Sequence, residues 1–346
     1  MLRYTISPDC CEEERIAQLV EFCKAAEIDD VMFFVNCEEL NTGHTTPEEQ
    51  ERWLALAEKT KKETDKLGIT FSINPWSSIL HSDKGRQLRP GQNFRRMVDL
   101  EGKESTVVGC PTDPAFIAYL KGVYARYAQF HPDTLWIEDD MRLHNHKSLK
   151  WGGCFCDGCM KMYSEIAGRP LTRQELVEEA FAEGAPRPLR KVWLEGARRT
   201  ILNLCAEIAD GVFSVDRDIR LGLMDGEPNV HCIEWKDWNG IAKVLTGNKK
   251  PYFRPNLPSR YEVLAKDYIQ AFERRPMLEA AFLEEGTLFA PELEDFPYSR
   301  YASSAAFTAF EMEKTCLLPS CGATINIFDM MGSGVFNGAR YGDMLK

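Results

Sequence analysis

Two kinds of segment alternate regularly along the 346 residues, and this alternation restricts the possible folds. Short runs rich in β-branched and aromatic residues are each followed by a longer segment with apolar residues at helical spacing. Eight such runs occur, at residues 3–7, 30–36, 69–74, 134–138, 220–224, 252–255, 287–292 and 323–329. Strands that alternate with helices in this way predict parallel βα units.

Eight βα units predict an α/β protein with a (β/α)8 TIM barrel. No GxGxxG motif follows any strand, which disfavours an open, doubly wound sheet that binds dinucleotides. No Pro-, Gly- or Ser-rich linker interrupts the pattern, so we expect a single domain over residues 1–346 with long loops at the C-terminal face of the barrel. Little more than GVFNGARYGDMLK follows the last strand, so the eighth helix is expected to be short or missing.

The helical segments and the loops between them also carry local signals. Helices are predicted at residues 12–26, 47–67, 113–130, 190–215 and 303–318. Thr46 precedes Pro47 as an N-cap before a proline at the first helical position. Residues 77–111 are predicted to form a long polar loop, which in a compact domain is more often functional than idle.

Charge and cysteine content exclude several classes of protein. The net charge is −11 and no cluster of Lys and Arg occurs, which argues against nucleic-acid binding. No apolar stretch reaches the roughly 18 residues of a membrane span, and no signal-peptide pattern opens the sequence. We therefore expect a cytoplasmic protein with small polar partners, whose 12 cysteines are mostly reduced.

Three cysteines form the motif C-x-C-x2-C within WGGCFCDGCMKMY, namely Cys154, Cys156 and Cys159. This spacing lets three thiolates converge on one ion, and the candidate for a fourth ligand is Cys110, just before the helix that precedes the fourth strand. We predict zinc in the loop region 110–160. Because four thiolates leave no open position, the ion would be structural. The alternative is four buried cysteines that bind nothing.

Acidic residues cluster at the ends of two strands, where a barrel enzyme carries its chemistry. In TLWIEDDMR, strand alternation places Glu138 and Asp140 in one phase and Asp139 in the other. In LFAPELEDFPYSRY, Glu292 and Glu294 share a phase. Two facing carboxyl groups are what cleavage of a glycosidic bond needs, since one protonates the leaving oxygen and the other attacks the anomeric carbon or activates water.

These residues resemble the family-42 glycoside hydrolases, mostly β-galactosidases, over residues 110–329. The resemblance lies in the cysteine pattern, the acidic end of the fourth strand and Glu294-Asp-Phe-Pro297 at the seventh. It implies that Asp140, where the family has a glutamate, is the acid/base and Asp139 a sugar contact. The nucleophile would be Glu294, with Glu292 as the alternative.

The same resemblance implies retention of anomeric configuration, with carboxyl groups about 5–5.5 Å apart, and it suggests a homo-oligomer. The shorter Asp140 leaves open an inverting geometry of about 6.5–9.5 Å.

Several other polar or aromatic residues follow predicted strands and are candidates for contacts with a small carbohydrate. Aromatic rings stack on the apolar faces of sugars, and hydroxyl groups need hydrogen-bond partners. The candidates are Trp76, Asn36, Glu38, Asp225, Glu227, Arg254, Asn256 and His144.

Two further functions stay open from the sequence alone. His144 and His146 have the spacing of metal ligands, so a metal-dependent barrel hydrolase that uses them with the acids around Asp139 is one alternative. A non-catalytic carbohydrate-binding protein on a decayed glycosidase barrel is the other, since Asp140 replaces a glutamate.

Overall fold

The computed structural model describes residues 1–37, 40–151, 153–185, 187–226, 228–257, 265–294, 303–318, 320–336, 338 and 340–346, without the side chains of residues 229 and 265–273. Nine strands form one parallel sheet. In chain order these are β1 (Leu2–Tyr4), β2 (Asp30–Val35), β3 (Thr70–Pro75), β6 (Thr134–Ile137), β7 (Arg220–Asp225), β8 (Tyr252–Pro255), β9 (Leu288–Phe289), β10 (Glu292–Glu294) and β11 (Thr324–Asn326). The predicted strands are confirmed within a few residues at each end.

The sheet closes into a barrel through its two terminal strands. Its order runs β10-β11-β1-β2-β3-β6-β7-β8-β9, so β10 and β9 stand at opposite ends. These two strands are separated in the chain only by Ala290 and Pro291, and Asn256 after β8 also bridges to Glu292 on β10. They are therefore two pieces of the seventh barrel strand, interrupted at a proline that has no N–H to donate. The predicted (β/α)8 barrel is confirmed.

Eleven α-helices lie in the described ranges, namely α1 (Glu12–Ala25), α2 (Pro47–Thr64), α3 (Pro114–Ala128), α4 (Asp157–Ala167), α5 (Arg173–Ala180), α6 (Pro188–Phe213), α7 (Pro228–His231), α8 (Trp238–Val244), α9 (Ala265–Phe282), α10 (Ala305–Thr315) and α11 (Tyr341–Met344). The five that the sequence predicts, α1, α2, α3, α6 and α10, begin within two residues of the predicted positions. Thr46 caps α2 in a reciprocal capping box with Glu49, as the sequence indicated. Among the described residues after β11, the one helix is the short α11. None of the helices in the described ranges is both long and apolar enough to span a bilayer.

The predicted loop at residues 77–111 contains an antiparallel hairpin, formed by β4 (Arg96–Val98) and β5 (Glu104–Gly109). The sequence pattern does not reveal this hairpin, because its turn depends on a single side chain, Asp99. The Asp99 carboxylate accepts hydrogen bonds from the N–H groups of Glu101 at 3.0 Å and Lys103 at 2.8 Å, which closes the turn. The hairpin lies over the C-terminal side of the sheet, next to the cysteine loop.

Side chains inside the barrel form two layers. An apolar layer lies toward the N-terminal ends of the strands, and a polar layer lies at their C-terminal ends. Met32, Trp136, Met224 and Ala290 make a buried cluster separate from the main core. The Trp136 ring fits because Gly222 on the next strand has no side chain, and an added Cβ there would lie 2.4 Å from the indole. The apolar layer therefore seals the barrel from below and leaves polar groups at the strand ends.

Candidate functional site

The lumen at the C-terminal end of the barrel is organised around Arg3 on β1. Its guanidinium is buried and donates to Asn74 Oδ1 at 3.0 Å and to Glu292 Oε1 at 3.3 Å. It also forms an ion pair with Glu138 Oε1 and lies 3.7 Å from the centre of the Phe34 ring. One guanidinium thus joins a carboxylate at the end of the fourth barrel strand to a carboxylate on the seventh.

A second arginine, Arg254 on β8, completes this lumen network. Its guanidinium pairs with the same Oε1 atom of Glu292 that Arg3 contacts. Both glutamates are almost fully buried, with 3% of Glu138 and 5% of Glu292 exposed. Two cations and two anions balance, which is what makes such deep burial of charge tolerable.

The two glutamates have different surroundings. Burial raises the pKa of Glu138, and the nearby charge of Arg3 only partly offsets this effect. Its second oxygen, Oε2, accepts the N–H of Asp139 at 2.9 Å. Glu292 instead has two guanidinium groups on a single oxygen. Paired carboxyl groups in such unequal environments are suited to opposite roles in acid–base chemistry.

Asp140, the acid/base implied by the resemblance, lies outside the lumen. Strand β6 ends at Ile137, so the alternation that would place Asp140 beside Glu138 stops before it. The Asp140 carboxylate has no exposed surface and accepts from Trp76 Nε1 at 2.9 Å and Arg142 at 2.8 Å. It also lies 3.3 Å from His81 Nδ1.

Burial alone would raise the pKa of Asp140, but Arg142 and His81 hold it well below its ordinary value. A carboxylate that is buried, paired and ionised is poorly suited to donating a proton. In this conformation Asp140 orders the loop after β3.

Asp139 and Glu294 lie closer to the mouth of the barrel. The Asp139 side chain is 29% exposed and accepts from Arg142 at 3.1 Å. Burial opposes its charge, yet Arg142 and Arg254 lower the pKa of Asp139. Glu294 follows Glu292 on the same face of β10 and is half-buried, and both Asp139 and Glu294 lie near enough to Arg254 to favour its charged form. These two acids form the rim of the lumen.

Two predicted sugar contacts, Trp76 and Asn36, follow the carboxyl ends of β3 and β2. The indole of Trp76 stacks on Phe34 at 5.8 Å and is partly exposed, while its N–H is used by Asp140. Asn36 is buried in a left-handed backbone conformation, and its Nδ2 has no hydrogen-bond partner among the described residues. The predicted contacts Glu38 and Glu227 lie outside the described residues.

Two other predicted site residues are bound by neighbouring side chains. Asp225 is fully buried and bound by Lys236 and Trp238, so it is not placed to meet a sugar. Asn256 accepts from Arg275 at 2.7 Å.

His144 contacts Glu234, whereas both ring nitrogens of His146 face backbone carbonyls, those of Leu80 and Arg142. The two histidines therefore have separate partners, and the structure gives no common metal position for them.

The four cysteines predicted as ligands do come together. Cys110 Sγ lies 3.5 Å from Cys156, 3.6 Å from Cys154 and 3.7 Å from Cys159, and all four are buried. A zinc ion with Zn–S bonds of about 2.3 Å in a tetrahedron separates its sulfurs by about 3.8 Å, whereas a disulfide needs about 2.05 Å. The four thiols could therefore hold one tetrahedral metal ion.

This cysteine cluster joins elements that are distant in the chain. Cys110 follows the hairpin strand β5, and Cys156 is the residue that caps α4. Phe155 N–H donates to the carbonyl of Val98 at 2.8 Å, which ties the cysteine loop to β4. A metal at this position would fix the hairpin against α4 beside the barrel mouth.

The sequence analysis did not assign roles to Arg3 or Asn74 and mentioned Glu138 only for its phase. The signal that could have found Glu138 is its alternation with Trp136, since both face the lumen. Arg3 carries a weaker signal, a lone cation inside an otherwise apolar strand. Its importance follows only from contacts 71, 135 and 289 residues away along the chain.

Comparison with known proteins gives structural matches only. No family model matches the sequence, and neither does any curated protein. The β-galactosidase from Bacillus circulans sp. alkalophilus superposes with a TM-score of 0.64 at 12% identity, over 99% of this chain and 55% of that one. A family-42 β-galactosidase from G. stearothermophilus gives 0.64 at 12% identity, over 100% and 56%.

A β-amylase also matches, and over nearly its whole length. The catalytic domain from Paenibacillus polymyxa superposes with a TM-score of 0.61 at 10% identity, over 99% of this chain and 96% of that domain. The present chain thus spans little more than half the length of the two β-galactosidases. At these identities the likeness establishes the architecture: the chain has the (β/α)8 barrel that these glycosidases share.

Proposed function

We propose that this protein is a glycoside hydrolase in which Glu138 is the general acid and Glu292 the nucleophile. The observation that carries the proposal is their shared contact with Arg3 inside the barrel lumen. Chemistry in TIM barrels is built at the C-terminal ends of the strands, and these carboxylates occupy the ends of the fourth and seventh. The fold is one that glycosidases use.

The assignment of roles follows from the surroundings of each carboxyl group. A general acid must hold a proton at the working pH, and Glu138 is the lumen carboxyl whose pKa burial raises. A nucleophile must be ionised, and Glu292 faces two guanidinium groups. Neighbouring nitrogens of one guanidinium bring the two carboxylates close together, which favours the shorter separation of a retaining enzyme.

The proposed reaction has two steps. Glu138 donates its proton to the glycosidic oxygen while a Glu292 oxygen bonds to the anomeric carbon, and the bond to the leaving group breaks. The Glu138 carboxylate then takes a proton from water, whose oxygen replaces Glu292 at the anomeric carbon. A small carbohydrate of the β-galactoside type is the substrate class that the sequence resemblance suggests.

A variant of this mechanism would use the rim acids, Glu294 and Asp139, in place of the lumen glutamates. Glu294 is nearer the mouth than Glu292 and is the nucleophile that the resemblance implies. Asp139 is accessible, but its lowered pKa suits a base or a sugar contact better than an acid. We place both in substrate binding, with Trp76 as a stacking surface beside them.

For the cysteine cluster we propose a structural zinc ion. The support is its donor set of four thiols, their near-tetrahedral spacing and their burial. The ion would hold the loop after β6 in place and take no part in bond cleavage, since four protein ligands leave no position for water.

A panel of nitrophenyl glycosides tests the function. We expect wild-type turnover of at least one glycoside, and a loss of kcat of about a hundredfold or more in both Glu138→Gln and Glu292→Gln. With wild type, kcat/KM should fall on the alkaline side as Glu138 loses its proton, because the acid form is the active one. Glu207→Gln, on the outer surface of α6, is the matched control and should keep full activity.

Two results would redirect the assignment. Full loss in Glu294→Gln together with normal kcat in Glu292→Gln would move the nucleophile to the rim. Sugar binding without turnover on any glycoside would favour the second candidate, a non-catalytic carbohydrate-binding protein. The near-complete burial of both glutamates against arginines is the observation that favours this candidate.

A further inference from the structure

A second group of metal-binding side chains lies outside the lumen, in the segments that follow β6 and β7. It consists of His144, His231 and Glu234, which we call the His–Glu cluster. All three are buried, and one donor atom from each lies within 4.8 Å of the other two. None of them has a part in the proposed hydrolysis, so their convergence needs its own explanation.

His231 lies against the buried carboxylate of Asp225. Asp225 Oδ1 lies 3.0 Å from His231 Nε2, and the same carboxylate accepts from Lys236 at 2.6 Å and Trp238 at 2.5 Å. The nearby N–H of Gly226 also donates to Asp225, at 3.0 Å. The Gly226 N–H also lies 3.1 Å from His231 Nε2, so Asp225 and Gly226 occupy the Nε2 side of the ring and Nδ1 is the nitrogen left for a ligand.

His231 Nδ1 is buried and makes no hydrogen bond with the residues that the structure describes. Only 1% of the side chain is exposed, and its ring packs edge-on against His144 with centroids 5.1 Å apart. A buried ring nitrogen without a protein partner is a position that a ligand can fill.

The other two members provide an anionic and a second nitrogen donor. His144 Nδ1 lies 2.6 Å from Glu234 Oε1, and Glu234 Oε2 accepts the N–H of Leu143 at 3.0 Å. The position between these groups therefore carries negative charge next to imidazole nitrogens.

From this geometry we propose that His144, His231 and Glu234 bind a divalent transition-metal ion such as Zn²⁺. Two imidazole nitrogens and one carboxylate oxygen are a donor set that zinc uses in proteins. Asp225 acts as the positioning residue, in the carboxylate–histidine arrangement found behind metal-bound histidines. The ion would join the loop after β6 to the segment after β7, separately from the cysteine cluster.

Metal stoichiometry tests the proposal without any measurement of activity. The protein is dialysed against buffered Zn²⁺, and zinc is measured relative to protein. We expect about two zinc ions per chain in wild type, and about one in His231→Ala and in Glu234→Gln. His131→Ala, which removes a surface histidine outside the cluster, is the matched control and should keep both.

Cobalt spectroscopy covers the case in which a variant does not fold. In wild type loaded with Co²⁺, the first equivalent should show the thiolate charge-transfer absorption of the cysteine cluster, and a second should add ligand-field bands without it. A single equivalent with a purely thiolate spectrum would overturn the proposal. So would a second zinc ion that survives both His231→Ala and Glu234→Gln. Neither result depends on whether the protein hydrolyses glycosides.

Discussion

The cysteine cluster and the lumen network are both buried groups of ionisable side chains, but they are neutralised in opposite ways. In the lumen network, Arg3 and Arg254 balance Glu138 and Glu292, so the chain supplies both signs of charge. In the cysteine cluster, four thiols face one another and the geometry suits an external cation. We therefore expect the stability of the cysteine cluster to depend on a bound metal ion and that of the lumen network not to.

The largest expected effect comes from breaking the cysteine cluster. Structural zinc in small domains contributes about 10–16 kcal/mol of apparent binding free energy, and that energy is linked to folding. Cys156→Ser, or a strong chelator with wild type, should therefore lower the free energy of unfolding by several kcal/mol. Thermal unfolding followed by circular dichroism measures this loss.

The control for that experiment is Cys316→Ser, which changes an exposed cysteine far from the cluster. Its stability should equal that of wild type, with and without chelator. Unchanged stability of Cys156→Ser, with no zinc in purified wild type, would show that the cysteines are only part of the core.

A smaller loss should follow from breaking the lumen network. Arg3→Met leaves Glu138 and Glu292 with less compensating charge, and removing one partner of a buried ion pair costs about 3–5 kcal/mol. The double variant Arg3→Met/Glu138→Gln should recover part of this loss, because it also removes one of the two buried anions that Arg3 had neutralised. Urea unfolding of the single and double variants measures the difference.

Bound zinc should stay unchanged in both lumen variants, because their charges lie apart from the cysteine cluster. A cost below about 1 kcal/mol for Arg3→Met would contradict the self-neutralising account of the lumen. Loss of zinc along with stability would mean that the two regions are coupled.

Glu279 on α9 differs from both sites, because no described residue is hydrogen-bonded to its carboxyl and the charges of Lys236 and Arg254 only partly offset its burial. It has no exposed surface, and neither of its oxygens is hydrogen-bonded within the described part of the chain. Burial raises the pKa of Glu279 well above its ordinary value, with the Asp225 charge adding to the effect. Its protonated form is therefore the one that suits the fold.

The sign of the pH effect follows from that raised pKa. Stability from Glu279 is fully present below its unfolded pKa of about 4.3 and is lost as the pH rises toward the folded pKa. Glu279→Gln should therefore stabilise the protein by about 1–3 kcal/mol at neutral pH, with the gain vanishing near pH 4. Urea unfolding at several pH values measures it. A gain that is independent of pH would show that the carboxyl is not the cause.

The cysteine cluster was predictable from the sequence because its information is local. Cys154, Cys156 and Cys159 lie within six residues, and Cys110 precedes a helix whose position the apolar spacing indicates. The barrel was predictable for a similar reason, since each βα unit carries its own pattern. Local patterns are what a single sequence shows most clearly.

The lumen and the His–Glu cluster were not predictable in the same way. Arg3 meets Glu292 across 289 residues, and His144 meets Glu234 across 90. Asp140 was assigned by resemblance, and strand alternation does not fix the direction of its side chain, because β6 ends at Ile137. Strand ends are where alternation fails, so the direction of an acid there depends on the turn that follows.

The most direct test of the central claim is covalent trapping of the nucleophile. A 2-fluoro glycosyl fluoride of the sugar that the glycoside panel identifies slows release of the glycosyl-enzyme, and mass spectrometry of the digested protein locates the attached sugar. We expect time-dependent inactivation of wild type with the sugar attached to Glu292. In Glu292→Gln we expect neither inactivation nor a labelled peptide. Label on Glu294, or steady turnover of wild type with no labelled peptide, would contradict the proposal.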